Sequence, residues 1–204
     1  MSLSTEKPYN LIALYSPNPQ MGKDSVANSI QYLTSEDGEY GLSTAWEVRR
    51  FGDKLKQMVE RHFPQEFSAR LWEKWGNDYR NEIMPSLNKT RREVLQGVGM
   101  KMREFDEDYW VKALFSDFHM NKFSVREGYT KTIISDLRLP NEYSAIEERG
   151  GLFIKVMRNS AIKVEHESEG QLENHFFHET IVNDSTLEEF SEKVKNILIK
   201  YKII

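Results

Sequence analysis

The stretch Leu11-Ile12-Ala13-Leu14-Tyr15-Ser16-Pro17-Asn18-Pro19-Gln20-Met21-Gly22-Lys23-Asp24-Ser25 decides how this chain is read. Its first five residues are an unbroken apolar run, as expected of a strand buried on both faces in a parallel sheet. The next seven are rich in turn formers, with two prolines and a closing glycine. Beyond Gly22, residues Val26, Ala27, Ile30 and Leu33 recur at helical spacing. The chain therefore opens as strand, loop and helix.

The same alternation continues outward. Trp46–Phe51 alternates and reads as a second strand, Thr132–Ser135 as a third, Leu152–Met157 as a fourth and Thr180–Val182 as a last short one. From Asp53 to about Lys122 the signal is helical. Thr90-Arg91-Arg92-Glu93 has capping-box spacing ahead of Val94, Leu95, Val98 and Met102. Trp110, Val111, Leu114 and Phe115 mark another amphipathic helix. Pro140 suits a helix start and Gly150-Gly151 its end. Ser185-Thr186-Leu187-Glu188 reads as a second capping box, before a helix carrying Leu187, Phe190, Val194, Ile197 and Leu198. Strands separated by helices imply an α/β fold with a mostly parallel sheet flanked by helices. One domain is expected over residues 1–204, with a helical insertion at about 53–125. The polar, weakly periodic stretch at about 158–178 reads as a lid.

Gly22-Lys23-Asp24-Ser25 stands where the first strand feeds the first helix. Backbone N–H groups and the helix dipole face an anion there, a lysine reaches outer phosphates and a hydroxyl holds Mg²⁺. The full pattern G-x-x-x-x-G-K-[ST] is not met. Pro17 stands at its first glycine, and Asp24 displaces the hydroxyl to Ser25. Pro17 and Pro19 each remove a backbone donor, so the loop offers fewer N–H groups than a glycine-rich one. The competing reading is a plain turn with an acid suited to the helix dipole.

Other charges fall in informative places. Arg91 and Arg92 occupy the first turn of a capped helix, where the dipole disfavours cations. A phosphate bound there would reverse that preference; otherwise the two are solvated, one pairing with a nearby acid. Asp136 and Arg138 follow the third strand, with Glu142 just beyond. Open α/β sheets bind ligands beyond their strands' carboxyl ends. Asp136 suits Mg²⁺ or a substrate hydroxyl, and Arg138 a phosphate; the alternative is a strand-end turn with a capped helix. His166, His175 and His178 match no metal-site spacing and read as loop residues or lid contacts. Trp110 follows the acidic Asp106-Glu107-Asp108 turn and is the aromatic most suited to pack on a base.

Composition bounds these readings. Among 204 residues, 39% are hydrophobic and 29% charged, which is globular rather than disordered. A net charge of −4 gives no footprint for a nucleic-acid polymer. With no cysteine, disulfides and thiolate zinc sites are excluded, in keeping with a reducing compartment. No run approaches the ~20 apolar residues that span a bilayer, and Met1–Asn10 lacks a signal-peptide core. A cytoplasmic location is expected, the host's if the source is a phage.

Taken in order, these segments resemble the phage-type deoxynucleoside monophosphate kinases of the P-loop superfamily. The resemblance rests on Gly22-Lys23-Asp24-Ser25, Phe51-Gly52-Asp53-Lys54-Leu55-Lys56 and Arg91-Arg92 with Leu95-Gln96-Gly97-Val98-Gly99. It continues through Asp108-Tyr109-Trp110-Val111-Lys112, Ser135-Asp136-Leu137-Arg138, Asn141-Glu142 and Gly150-Gly151. It ends with His166-Glu167-Ser168-Glu169 and Val182-Asn183-Asp184-Ser185-Thr186-Leu187-Glu188-Glu189. The resemblance implies phosphoryl transfer from ATP to a nucleoside monophosphate, with ATP and Mg²⁺ at Gly22, Lys23, Asp24 and Ser25. It implies a deoxynucleotide near Lys54, Arg92, Gly99, Trp110, Asp136, Arg138 and Glu142, and a homodimer. In this scheme Lys23, Arg92 and Arg138 act on the phosphates, Ser25 and Asp136 serve the metal, and Arg158 or Lys163 closes over the transferring group. The family's glycine is absent at Pro17. Three alternatives stay open: another small-molecule kinase resembling dephospho-coenzyme A kinase, a nucleotide-binding module with little turnover, or a structural or interaction protein with a relic site.

Overall fold

The structure, a computed structural model, describes residues 9–35, 46–116, 131–158 and 170–204. The chain divides into two compact units, one being Arg50–His119 and the other the remainder.

The larger unit is built on a sheet. Its strands are β1 (Leu11–Tyr15), β2 (Trp46–Arg49), β5 (Lys131–Leu137), β6 (Leu152–Met157) and β7 (Glu179–Val182), in the order β2-β5-β1-β6-β7. The four pairings among these strands are parallel. The apolar runs read from sequence are the central strands, because a strand covered on both faces has no polar side to show. All five residues of β1 are buried. One face packs on α1 (Lys23–Leu33) and α7 (Leu187–Lys200), through Ile12, Leu14, Ile30, Ile133, Ile154 and Phe190. The other receives α6 (Pro140–Glu147), whose Tyr143 stacks on Phe153 with ring centroids 4.1 Å apart.

The smaller unit holds α2 (Phe51–His62), α3 (Ala69–Asn81), α4 (Arg91–Phe105) and α5 (Tyr109–Ser116). Its core joins Val59, Phe67, Met84, Val94 and Leu95.

Several elements differ from the sequence reading. The second strand stops at Arg49, because Arg50 is the extended N-cap of α2 and Phe51 turns inward as its first, buried residue. The helical insertion contains a small antiparallel hairpin, β3 (Ile83–Met84) and β4 (Lys89–Thr90). The last capping box lies one residue later than expected. Thr186 accepts from the Glu189 N–H at 3.3 Å, and the Glu189 carboxylate takes the Thr186 N–H in return. The third strand runs to Leu137, so Asp136 is inside it rather than after it.

The expected lid at 158–178 falls in two parts. Residues 159–169, with Lys163 and His166, lie outside the described residues. Residues 170–178 pack against the sheet. Leu172 is fully buried, Phe177 stacks on Tyr15 at 5.1 Å, and the Tyr143 hydroxyl donates to the Phe176 carbonyl at 2.7 Å. Apolar residues anchor this part of the segment to β1 and α6.

Candidate phosphate-binding site

The carboxyl ends of the parallel strands define one rim of the sheet unit, where α/β proteins hold ligands. β1 is the central strand, with β5 on one side and β6 on the other, so the chain's crossings change direction about it. The loop 16–22 leaves β1 at that switch point. The buried Ser16 hydroxyl donates to the Asn18 carbonyl at 2.7 Å, closing the turn around Pro17.

Gly22 ends the loop as the N-cap of α1, with φ 105° and ψ 20°. Gly22 has no side chain to cap this helix start, whereas Thr90 supplies a cap oxygen to α4. Such an end attracts anions through its N–H groups and dipole together. Gly22 is held from behind as well. The Asn183 side-chain amide donates to the Met21 carbonyl at 3.1 Å, and a Cβ on Gly22 would meet the same nitrogen at 2.4 Å. Asn183 is a loop-positioning residue that sequence reasoning did not single out as a site residue. It lay in a matching segment at the end of β7, and only the fold brings it to the loop.

Asp136 reaches the same rim through a register shift. Ala13 pairs with Ile134, but Tyr15 pairs with Leu137, so β5 carries one residue more than β1 there. A bulge of this kind re-aims side chains and is common beside functional sites. Arg138 leaves the end of β5, and exposed Arg158 follows β6 directly. Glu142 has a different place. It is buried, and its carboxylate accepts the Arg138 N–H at 2.9 Å and the Leu139 N–H at 3.1 Å, fixing the turn into α6. Glu142, expected from sequence to contact substrate, thus caps the turn that carries Arg138.

The helical unit separates residues that look alike in sequence. Arg91 is committed internally. It donates to the Glu66 carbonyl at 2.6 Å, pairs with Glu82 at 2.6 Å and lies over the Tyr79 ring at 4.0 Å. Arg92 instead donates to two amide oxygens, Asn77 Oδ1 at 2.9 Å and Asn81 Oδ1 at 3.3 Å. Lys54 sits part-exposed in the first half of α2. Its neighbour Lys56 is buried and pairs with Asp53 at 2.8 Å and Glu73 at 2.5 Å. Burial works to lower the Lys56 ammonium pKa, but hydrogen bonds to Asp53 and Glu73 outweigh it and hold it above the usual range. Lys56 is thus a structural tie between α2 and α3.

Trp110 is buried, and its indole N–H donates to the Gly99 carbonyl at 3.1 Å. Gly99 is itself buried, and a Cβ there would sit 3.1 Å from Leu55. Trp110 and Gly99, both expected from sequence to lie near the substrate, take part in the packing of α4 against α5 and α2. Among the described residues no group of three or more His, Asp or Glu side chains is disposed to hold a metal. His178 serves the sheet: its Nδ1 accepts the Phe153 N–H at 3.1 Å.

A parallel sheet whose central strand feeds a glycine-lysine loop and a helix start without a side-chain cap defines an α/β protein suited to hold an anion at that loop. Comparison with known proteins narrows the class. The family model described as deoxynucleotide monophosphate kinase matches residues 80–194, more than half of the chain, and the chain belongs to that family. A curated relative, the deoxynucleotide monophosphate kinase of Enterobacteria phage T4, is 34% identical over 110 residues. The matched stretch is 52% of this chain and 44% of that protein. Among solved structures, dephospho-CoA kinase from Campylobacter jejuni superposes with a TM-score of 0.49 at 10% identity, covering 94% of this chain and 96% of that one. The family match includes Arg92, Gly99, Trp110, Asp136, Arg138, Glu142 and Arg158. Gly22–Ser25 and Lys54 precede it, so the loop is argued from geometry alone.

Proposed function

We propose that this protein transfers the terminal phosphoryl group of ATP to a deoxynucleoside monophosphate, giving the diphosphate and ADP. The observation that carries the reading is the uncapped α1 N-terminus with Lys23 at its first position, set after the central strand of a chain in the deoxynucleotide monophosphate kinase family. An oxygen of the acceptor phosphate bonds to the γ-phosphorus as the bond to the β–γ bridging oxygen breaks, and ADP leaves. Such a transfer needs alignment and charge neutralisation more than covalent help.

In this scheme the amides of residues 22–25 and the Lys23 ammonium hold the donor's outer phosphates. Arg138 and Arg158, at the ends of β5 and β6, neutralise charge developing on the phosphates. Arg92 binds the acceptor phosphate. The Ser25 hydroxyl and the Asp136 carboxylate are hard oxygen donors of the type Mg²⁺ prefers. They would hold that ion, which supplies charge neutralisation on the phosphates when bound. Lys23→Ala tests the reading. Turnover should fall to background while the melting temperature changes little, since a single part-exposed first-turn side chain carries only about 1 kcal/mol of the fold. A variant that keeps near-normal turnover would remove the loop from the site.

A further inference from the structure

Two adjacent arginines begin α4, and the fold treats them oppositely. Arg91 meets a carboxylate and a tyrosine face. Arg92 meets only the side-chain oxygens of Asn77 and Asn81, and no carboxylate pairs with it among the described residues. We infer that Asn77 and Asn81 are positioning residues for Arg92, a clamp of neutral amides that aims its guanidinium at the acceptor phosphate without cancelling its charge. The inference rests on the acceptor role proposed for Arg92.

The clamp is built by a break in α3. Gly76 has φ 56° and ψ −131°, a conformation open to glycine and almost nothing else. The break lets residues 77–81 start a new turn, and a spacing of four puts Asn77 and Asn81 on one face of it. Their oxygens take the Nε and one terminal nitrogen of Arg92, from a fork of five N–H donors. The remaining donors stay available for a planar or bidentate contact with phosphate oxygens. A carboxylate at either position would orient the fork equally well but would compete with the ligand for its charge. Asparagine gives the geometry and leaves the charge. Both amides are exposed, so these hydrogen bonds add little to stability, and their use is directional.

The test compares Asn77→Asp, Asn77→Ala and Arg92→Ala in the full chain. Each is assayed with ATP and each common deoxynucleoside monophosphate in turn, with KM for both substrates, kcat and melting temperature recorded. Asn77→Asp should raise the acceptor KM by roughly three- to tenfold and leave the ATP KM and melting temperature unchanged. Added salt should narrow the gap from wild type, and the effect should vanish in an Arg92→Ala background. Asn77→Ala should raise the acceptor KM less. If Arg92→Ala weakens the acceptor but Asn77→Asp behaves as wild type, the clamp is overturned and the proposed function stands. If Arg92→Ala leaves the acceptor KM unchanged, the acceptor role and the clamp fall together.

Discussion

Gly22→Ala is the substitution whose outcome the geometry specifies most closely. Gly22 is left-handed, with φ 105°, and a residue with a Cβ reaches that region at a cost of about 1–2 kcal/mol. The added Cβ would stand 2.4 Å from the Asn183 side-chain nitrogen, so that amide must swing away. Its hydrogen bond to the Met21 carbonyl goes with it, a further ~0.5–1.5 kcal/mol. The sum is about 1.5–3.5 kcal/mol. For a chain of this size that corresponds to a fall in melting temperature of roughly 3–14 °C. Thermal unfolding of Gly22→Ala, Asn183→Ala and the double variant separates the two causes. The double variant should be less destabilised than the sum of the single ones, because removing the Asn183 amide relieves the clash but not the backbone strain. ATP affinity should drop in Gly22→Ala in parallel. An unchanged melting temperature, or strictly additive losses, would show that the loop does not meet Asn183 as described.

Two other outcomes follow from single contacts. Trp110→Phe removes the indole donor to the Gly99 carbonyl and should cost about 1–3 kcal/mol in thermal unfolding. It should leave monophosphate affinity by calorimetry unaltered at equal folded fraction; a selective affinity loss would show that the indole also serves the substrate. His178 sets a pH dependence: burial holds its imidazole pKa below the ordinary histidine value, with Glu179 opposing. Its Nδ1 must stay unprotonated to accept the Phe153 N–H. The unfolded chain therefore binds the proton first as pH falls below about 6.5, and stability should decline from there downward. Denaturant titrations between pH 7 and 5 should show that slope, flattened in His178→Gln; equal slopes would refute the assignment.

The sheet was legible in the sequence because its central strands are apolar throughout. β1 and β6 begin and end where the apolar runs do. The turn signals at Thr90, Pro140 and Gly150-Gly151 also marked real boundaries, being local chemistry that needs no partner. Features decided by distant partners were not legible. The hairpin of β3 and β4 consists of two-residue strands in a polar stretch. The bulge that re-aims Asp136 exists only in the pairing of β5 with β1. Local spacing could not tell Arg91 from Arg92, because Glu82, Tyr79, Asn77 and Asn81 arrive from α3 and the turn after it. Trp110 gave two readings from sequence, core and base contact, and its bond to the Gly99 carbonyl was not legible in either. The Asn183 contact to Met21 joins residues 162 apart, a separation no local pattern spans.

The central claim is phosphoryl transfer to a deoxynucleoside monophosphate, and its most direct test follows the phosphorus itself. ATP labelled in its terminal phosphate would be incubated with the protein, Mg²⁺ and each common nucleoside monophosphate in turn, with dephospho-coenzyme A as a competing acceptor. Label should appear in the diphosphate of at least one deoxynucleoside monophosphate and should not do so with Lys23→Ala. Label in coenzyme A alone, or in no acceptor despite tight ATP binding, would contradict the account.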